Sequence, residues 1–470
     1  MAVNTLSSVQ QTAAVGGADD ARCREESSSQ RDAAAAVAMV NGSVAAALAA
    51  HSAPGARVAV ALSGGIDSMV LLEALHALGP QFGLRLSAVH VDHRLSPNSG
   101  RWAEFCASAC ATRAVPLTIE RVDIARRTAQ SLEAAARVAR YEKLLGVQAD
   151  IVALAHHADD QAETVLLQLL RGAGPAGLAG MPRYRPGNGG APALLRPLLE
   201  LPRATLAAYA KARGLAWITD ESNADRRHKR NLLRLAVAPL LAEAFPGYPS
   251  VLVRAADHQA ESAALLDQFA RQDAGATQGG LDRAALAALP PARARNVLRW
   301  FLRSEGLRPP STARLAAMLE QLQTAGADAR TRIVHDGAEI GCYGGRVVVH
   351  AAVADAFERS WGGESSVDLP GGTLWFERAH GDGIAAAKFE TARVTLRSRR
   401  GGERIQLAAN RPRRAVKKLL YDANLPIWRR QALPFIWCGD ELAAVPGIGI
   451  ALSFQAGADQ PAWRVEWRPA

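Results

Sequence analysis

Between residues 57 and 171 the sequence alternates four times between a short apolar run and a segment with helical apolar spacing. Short apolar runs that end at turn residues are typical of buried strands, and such an alternation favours a parallel sheet with helices on both faces. We therefore predict a doubly wound α/β domain whose ligand lies beyond the carboxyl ends of the strands. The predicted strands cover residues 57–62, 84–91, 116–124 and 151–155, and the predicted helices cover 67–78, 100–115, 131–149 and 159–171.

The remainder of the chain divides into segments of different composition. Residues 1–33 are rich in Ala, Ser and Gln and are predicted to be disordered, whereas 34–50 are predicted to be helical. Residues 172–193 are rich in Gly and Pro, which indicates a loop. The predicted division is an extension over 1–50, the α/β domain over 51–245, a mainly helical domain over 246–360 and a small basic α+β domain over 361–470.

The charge of the chain is concentrated near its carboxyl end. Lys and Arg number 55 against 45 Asp and Glu, and residues 391–470 alone hold 14 basic and 6 acidic side chains. Such an excess suggests a polyanionic partner, although an arginine-rich solvated surface would give the same count. Five cysteines in 470 residues favour a reducing compartment over a disulfide framework, and no uncharged apolar run is long enough to span a bilayer. We therefore expect a cytoplasmic protein without a membrane partner.

The first chemically informative motif follows the first predicted strand and reads Ser63-Gly64-Gly65-Ile66-Asp67-Ser68. Two glycines permit a tight bend that leaves backbone N–H groups uncovered, and the following helix N-terminus favours anions. The two serines add hydroxyl groups, and Asp67 is suited to hold Mg²⁺ beside phosphate oxygens. The motif lacks the lysine of a Walker A loop, so we interpret it as a different phosphate-binding loop.

The second motif follows the last predicted strand and contains His156, Asp160 and Glu163 within the string HHADDQAET. Acidic residues in a first helical turn often serve only the helix dipole. Here they fall at the same edge of the sheet as Asp67, because parallel strands present their carboxyl ends together. A divalent cation would bring such carboxylates together around a triphosphate, so Asp67, Asp160 and Glu163 are candidate Mg²⁺ ligands.

These motifs carry a resemblance to a known family. The loop SGGIDS after RVAVAL resembles that of the N-type ATP pyrophosphatases, or PP-loop superfamily, whose fold is adenine nucleotide alpha hydrolase-like. Together with HHADDQAET, RGAGPAGLAGMP and RPLL, it is similar to the tRNA(Ile)-lysidine synthetases. Residues 89–95, 133–144, 219–234 and 396–445 match further segments of that family, so the resemblance covers about residues 55–450.

The resemblance implies an ATP-dependent reaction on tRNA. The family adenylates O2 of the wobble cytidine in the CAU anticodon of tRNA(Ile), and L-lysine then displaces AMP to give lysidine. It implies that residues 63–68 with Arg137 and Arg140 bind ATP, and that Asp67, Asp160, Arg230 and His156 act in catalysis. The residues implied in tRNA binding are Arg230, Arg234, Arg397, Arg400, Arg413, Arg414, Lys417 and Lys418.

Other functions remain open at this stage. A tRNA thiolase of the same superfamily would carry cysteine pairs, and a GMP synthetase would need a glutaminase domain for which residues 1–50 are too short. A non-catalytic RNA-binding protein would not need Asp67, Asp160 and His156. Arg137 and Arg140 could equally form a salt-bridge ladder on a helix surface.

Overall fold

We analysed a computed structural model that describes residues 13–94, 96–122, 132–219, 229–324, 331–352, 356–423 and 425–469. The chain forms two compact units, Met1–Ala264 and Leu265–Ala470. The sequence predicted a boundary at residue 245 instead, and the four-part division into domains stays a prediction.

In the described part of the first unit, six strands form one sheet in the order β3-β2-β1-β4-β6-β5. Neighbouring strands are parallel except β5, which runs antiparallel to β6 at the edge. The strands are β1 (Arg57–Ala61), β2 (Arg85–Asp92), β3 (Leu117–Arg121), β4 (Ile151–Ala153), β5 (Tyr184–Arg185) and β6 (Ala193–Leu195). The predicted parallel sheet is confirmed. The loop predicted over 172–193 is wrong in part, because it contains the strand β5 and one helical turn.

Helices cover both faces of this sheet. Alternate residues of a strand point to opposite faces, so Val58 and Val60 of β1 enter one core and Ala59 enters the other. The helices of this unit are α1 (Ala13–His51), α2 (Ile66–Leu78), α3 (Ser99–Ala111), α4 (Leu132–Leu145), α5 (Ala158–Leu169), α6 (Pro175–Leu178), α7 (Arg203–Ala212), α8 (Lys229–Leu232) and α9 (Ala238–Ala244). A further helix, α10 (Tyr248–Ala274), begins in this unit, and its residues Ala270 and Ala274 belong to the core of the second unit. A π-helical segment, Leu233–Val237, joins α8 to α9. The doubly wound fold is therefore confirmed.

Helix α1 differs from the prediction for the amino-terminal residues. It begins at Ala13, so residues 13–33, which were predicted to be disordered, are helical, in keeping with the many Ala, Arg, Gln and Glu residues there. Within the described residues, the segment Gln30–His51 is long and apolar enough to cross a membrane by length and composition. Its side chains Val40, Val44 and Leu48 are fully buried in the core of the first unit.

The described part of the second unit begins with helices packed on a small antiparallel sheet in the order β7-β10-β9-β8. Its elements are β7 (Leu281–Asp282), α11 (Arg283–Ala288), α12 (Pro291–Ser304), α13 (Thr312–Thr324), β8 (Arg332–His335), β9 (Ala338–Tyr343) and β10 (Arg346–Ala351). Leu298, Phe301 and Met318 fill the core between the helices and the sheet. The predicted helices within 281–323 and the predicted strands within 331–349 are thus present.

The carboxyl-terminal part of this unit is built mainly from antiparallel sheets around a core that includes Leu374, Leu396 and Phe435. The strands are β11 (Glu358–Trp361), β12 (Ser366–Leu369), β13 (Gly372–His380), β14 (Ile384–Ala385), β15 (Val394–Arg397), β16 (Arg404–Ile405), β17 (Arg414–Ala415), β18 (Phe435–Cys438), β19 (Glu441–Val445), β20 (Gly449–Ile450) and β21 (Pro461–Pro469). The helices are α14 (Ala386–Glu390), α15 (Val416–Asp422) and α16 (Ile427–Ala432), with a 3₁₀ turn at Leu452–Phe454. The basic helix predicted near residues 415–424 corresponds to α15.

The packing of α1 can be tested by deleting a buried side chain. Replacing the fully buried Leu48 by Ala should lower the free energy of unfolding of the first unit by about 2–5 kcal/mol, because removal of the isobutyl group leaves a cavity in the core. Met39→Ala on the same helix, where the side chain is 50% exposed, should change it by less than about 0.5 kcal/mol. Urea unfolding of both variants measures the difference. Equal effects would contradict the packing of α1.

Candidate functional site

The loop between β1 and α2 is held in a bent shape by its own serines. Ser63 N–H donates to Ser68 Oγ at 3.2 Å, and Ser68 Oγ donates to the Gly65 carbonyl at 2.9 Å. Gly64 adopts a φ of +82°, a conformation that side chains other than glycine rarely adopt. Helix α2 begins at Ile66, so the N–H groups of its first turn point toward this bend. The sequence therefore folds locally into the tight bend that was predicted between the first strand and the first helix, and anion binding by this loop stays a prediction.

Gly64 is also constrained by a neighbour that sequence reasoning missed. Ile218 N–H donates to the Gly64 carbonyl at 2.9 Å. A Cβ added to Gly64 would lie only 2.6 Å from Ile218 Cδ1. The segment before the predicted arginines at 230 and 234 thus closes over the loop, and no spacing pattern in the sequence signals this contact.

Asp67 lies in the first turn of α2 with one carboxylate oxygen unsatisfied. Its Oδ1 is buried and has no hydrogen-bond partner within the described parts of the chain. Its Oδ2 lies 3.7 Å from His157 Nε2. Burial raises the pKa of Asp67, and the nearby carboxylate of Asp160 raises it further. The charge of His157 acts in the opposite direction but does not cancel these effects. An unsatisfied, buried carboxylate oxygen beside an anion-binding loop is suited to hold a cation.

His157 joins the two predicted motifs, whereas the sequence analysis singled out His156. The ring of His157 is 2% exposed, and its Nε2 lies 3.5 Å from Asp160 Oδ2. Its Nδ1 lies 3.5 Å from Asp159 Oδ2. Burial disfavours the charged imidazolium, but the carboxylates of Asp159, Asp160 and Asp67 outweigh burial and raise the pKa of His157. The sequence did place this histidine beside three acids, and that pattern was the available signal.

Asp160 and Glu163 of α5 are held by two arginines from α8 and the π-helical segment. Arg230 donates to Glu163 Oε2 at 2.6 Å and to Asp160 Oδ1 at 2.9 Å. Arg234 donates to Glu163 Oε1 at 2.6 Å and to Asp160 Oδ1 at 3.1 Å. Burial opposes ionisation of Asp160, but His157 and the arginines lower its pKa below the usual value. Four predicted residues thus form one cluster, here called the acid–arginine cluster.

This cluster argues against one predicted role. Glu163 was expected to bind Mg²⁺, but both of its carboxylate oxygens accept hydrogen bonds from arginines. Among the residues that the structure describes, no group of three or more His, Cys, Asp or Glu side chains is arranged to hold a metal ion. Glu163 therefore holds the two guanidiniums in place, and Mg²⁺ binding by Asp67, Asp160 or Glu163 stays a prediction.

A second group of cations lies beside the acid–arginine cluster. Burial lowers the pKa of Arg140, and the nearby Arg137 and Arg230 act in the same direction. The guanidinium carbons of Arg137 and Arg140 lie 5.2 Å and 5.9 Å from the centroid of the Tyr141 ring. Arg196, which was not predicted as a site residue, is 6% exposed and donates to the Pro182 carbonyl at 2.8 Å. Arg137 is exposed, but Arg140 is half-buried and Arg196 is buried, and such arginines with few acids nearby favour an anionic ligand.

His156 lies among these cations and is held neutral. Burial lowers its pKa to about 3, although Asp160 acts in the opposite direction. Its Nδ1 is buried without a hydrogen-bond partner in the described structure. His156 can therefore exchange a hydrogen bond with a ligand but does not add charge. Arg203 is a further residue that sequence reasoning missed: its N–H donates to Asp159 at 2.8 Å, and its charge lowers the pKa of Asp67.

The remaining predicted tRNA-binding residues belong to the second unit. Arg397 lies over the ring of Trp437, and Arg400 forms an ion pair with Glu358. Arg414 pairs with Asp422 at 2.6 Å. The side chains of Arg413, Lys417 and Lys418 are exposed. Residues 220–228, which belong to the family-matched segment 219–234, lie outside the described residues.

Three family models match the chain in order. A PP-loop domain matches residues 39–241, a TilS substrate binding domain matches 281–348, and a TilS substrate C-terminal domain matches 394–467. The parallel sheet and its glycine loop agree with the first of these matches. The fold and the site thus define a PP-loop protein with an adenine nucleotide alpha hydrolase-like domain, a class that uses ATP.

Curated relatives narrow the class. A tRNA(Ile)-lysidine synthase of Nitrosomonas europaea is 43% identical over 429 residues, which cover 89% of this chain and 93% of the relative. A tRNA(Ile)-lysidine synthase of Azoarcus sp. is 42% identical, with 89% of this chain and 93% of the relative covered. The tRNA(Ile)-lysidine synthase of Chromobacterium violaceum is 43% identical, with 87% of this chain and 95% of the relative covered. The chain belongs to the tRNA(Ile)-lysidine synthase family, whose members are ATP-dependent ligases.

The glycine loop provides a matched pair of substitutions. Gly64→Ala should lower the free energy of unfolding by about 1–3 kcal/mol and weaken ATP binding, because Cβ meets Ile218 and φ is positive. Gly65→Ala should change stability by less than about 0.5 kcal/mol, because φ there is −71° and Cβ approaches Ser63 Oγ only to 3.5 Å. Urea unfolding and ATP titration measure both effects. Equal losses in the two variants would contradict the special role of Gly64.

Proposed function

We propose that this chain joins L-lysine to C2 of the wobble cytidine in the CAU anticodon of tRNA(Ile), with ATP as the activating substrate and the cytoplasm as its location. The single observation that supports this most is the convergence of Asp67, His157 and Asp160 beside the glycine loop. Family membership supplies the substrate class, and this convergence supplies a site for the chemistry. The tRNA thiolase and the small-molecule synthetase remain outcomes of the test below.

The triphosphate of ATP binds to residues 63–68 in this proposal. The bent loop and the first turn of α2 offer backbone N–H groups to phosphate oxygens, and the serine hydroxyls keep the loop in that shape. Arg137 and Arg140 contact the α-phosphate or the adenylate. Their partly uncompensated charge favours an anion at this place, as the lowered pKa of Arg140 indicates.

Mg²⁺ is proposed to bind Asp67 and Asp160. The unsatisfied Oδ1 of Asp67 fits a hard cation, and both carboxylates approach the same nitrogen of His157. When bound, Mg²⁺ neutralises charge on the phosphates and on the leaving pyrophosphate. Asp160 would exchange a hydrogen bond from an arginine or from His157 for the cation, whereas Glu163 keeps both of its oxygens on Arg230 and Arg234.

The acid–arginine cluster orients the reacting nucleotide. Arg230 and Arg234 are fixed by Glu163, so their remaining N–H groups can hold the cytidine or its phosphate without loss of side-chain freedom. Cytidine O2 attacks the α-phosphorus and pyrophosphate leaves. The ε-amine of lysine then attacks C2, AMP leaves with O2, and the amine loses a proton. An unpaired anticodon base can enter this site at little cost, because it is not stacked in a duplex.

The assignment is tested by incubating the full chain with tRNA, ATP and isotopically labelled lysine. Asp67→Asn and Asp160→Asn should each lower AMP release and lysine incorporation by at least about 10²-fold, since each removes a carboxylate that would hold the cation beside the leaving pyrophosphate. tRNA affinity should remain close to that of the unchanged chain. Asp150→Asn is a matched control, because Asp150 forms an ion pair with Arg57 at the surface.

Mass analysis of the tRNA distinguishes the alternatives. A mass gain that carries the lysine label supports the proposal. AMP release with a gain of sulfur in place of oxygen would favour a thiolase. Pyrophosphate exchange without tRNA would favour a small-molecule synthetase. Full activity of Asp67→Asn would overturn the proposed role of that carboxylate.

The exposed cations of the second unit are proposed to contact tRNA phosphates. The double variant Arg413→Gln, Lys417→Gln should weaken tRNA binding. It should also make the slope of the log binding constant against log salt concentration shallower by about one unit for each phosphate that is no longer neutralised. Arg464→Gln with Arg468→Gln is the matched control, since these exposed arginines already pair with acids. Binding isotherms at several salt concentrations give the slope. An unchanged slope in the first double variant would contradict the role of these two cations.

A further inference from the structure

A cavity of about 400 Å³ lies in the second unit beside the loop that joins β15 to β16. Its walls include Arg397, Arg400, Glu403 and Trp437. Ligand sites for small molecules commonly have volumes of about 300–1,000 Å³, so the cavity is large enough for a nucleotide-sized group and too small for a duplex. The family match assigns no ligand to it.

One wall of this cavity is a stack of two flat groups. The guanidinium carbon of Arg397 lies 3.9 Å from the centroid of the Trp437 ring. Strands β15 and β18 pair antiparallel with Thr395 opposite Trp437 and Arg397 opposite Phe435, so the two side chains share one face of the sheet as diagonal neighbours. The stack is therefore built on rigid elements. A guanidinium plane on an aromatic ring offers its other face to a further flat group, and RNA bases stack on such planes.

Two arginines at this place are enclosed at Nε. Nε of Arg397 and Nε of Arg399 are buried without a hydrogen-bond partner in the part of the chain that the structure describes. Arg399 Nε lies 3.7 Å from Glu403 Oε2, which is an ion-pair distance but not a hydrogen bond. Because these Nε atoms are enclosed by the protein, they are not donors to a ligand in the cavity, and Arg399 is not among the residues that line it.

The loop itself is held open toward the cavity. Glu403 Oε1 accepts hydrogen bonds from the N–H groups of Arg400 and Gly401 at 2.6 Å and 2.7 Å. Gly401 and Gly402 have φ values of +98° and +86°, and a Cβ on either would meet no atom within 4 Å. The backbone is thus fixed in shape by Glu403 and uncovered by side chains, which lets a ligand approach it closely.

We propose that this cavity binds one unpaired nucleotide of the tRNA substrate, with the base stacked on the guanidinium of Arg397. This inference rests on the proposed function, since that function supplies the RNA. The proposed cavity adds a contact with an unpaired base to the second unit, whose exposed cations contribute only charge. Charge alone attracts any nucleic acid, whereas stacking on a confined plane selects an unpaired base.

The test compares single-stranded and duplex RNA on the full chain. Arg397→Lys keeps the charge but loses the plane, so it should weaken binding of a short single-stranded ribonucleotide about tenfold and leave duplex binding nearly unchanged. Arg378→Lys is the matched control, because Arg378 lies 3.9 Å from the Trp463 ring outside the cavity. Thermal unfolding of both variants verifies that they fold.

If Arg397→Lys loses affinity equally for single-stranded and duplex RNA, Arg397 contacts only a backbone phosphate and the proposal is wrong. If it loses no affinity for either, the proposal is also wrong. The same variant should raise KM for whole tRNA and leave kcat for AMP release unchanged, which a catalytic role would not give. The two proposals can fail separately. If Arg397→Lys selectively weakens single-strand binding but the unchanged protein incorporates no lysine into tRNA, the nucleotide cavity stands and the proposed reaction is wrong.

Discussion

The site of the first unit depends on the ion pairs of the acid–arginine cluster, in which buried carboxylates and guanidiniums neutralise one another. Asp160 and Glu163 have side chains that are 13% and 6% exposed, and each faces both Arg230 and Arg234. Removing one member of such a buried set commonly costs about 3–5 kcal/mol, because the remaining charge is left uncompensated. The set therefore fixes the segment that carries the arginines against α5, and this segment includes a π-helical stretch of the kind often found at functional sites.

The ion pairs of the acid–arginine cluster orient the arginines before a substrate binds. The arginines are held by acids before any substrate is present, so their orientation does not have to be acquired during binding. His157 provides the second connection, because its ring lies between carboxylates of α2 and α5 and stays charged more readily than an ordinary histidine. The glycine loop, the carboxylates and the guanidiniums are thus preorganised, and preorganised charge is the main source of catalysis in phosphoryl transfer.

The sequence predicted those parts of the fold and site that depend on local patterns. The alternation from residue 57 predicted the parallel sheet, and the position of two motifs at carboxyl ends of strands predicted that Asp67 and Asp160 converge. It favoured His156 over His157, because adjacent histidines after a strand cannot be distinguished without the direction of each side chain. It also missed Ile218 and Arg196, whose roles depend on contacts across long stretches of chain. The π-helical turn and the short strand β5 gave no periodic signal of their own.

The proposed reaction at a CAU anticodon would also set a requirement for the second unit. An anticodon that reads CAU is shared by the methionine and isoleucine tRNAs, so no contact at the reacting base can tell the two apart. Discrimination must then come from contacts elsewhere on the tRNA, and each tenfold preference requires about 1.4 kcal/mol of differential binding. Exposed cations such as Arg413 and Lys417 contribute affinity for any RNA backbone and little preference. In the proposal above, Arg397 on Trp437 would respond to whether a base is unpaired, which exposed charge alone does not do.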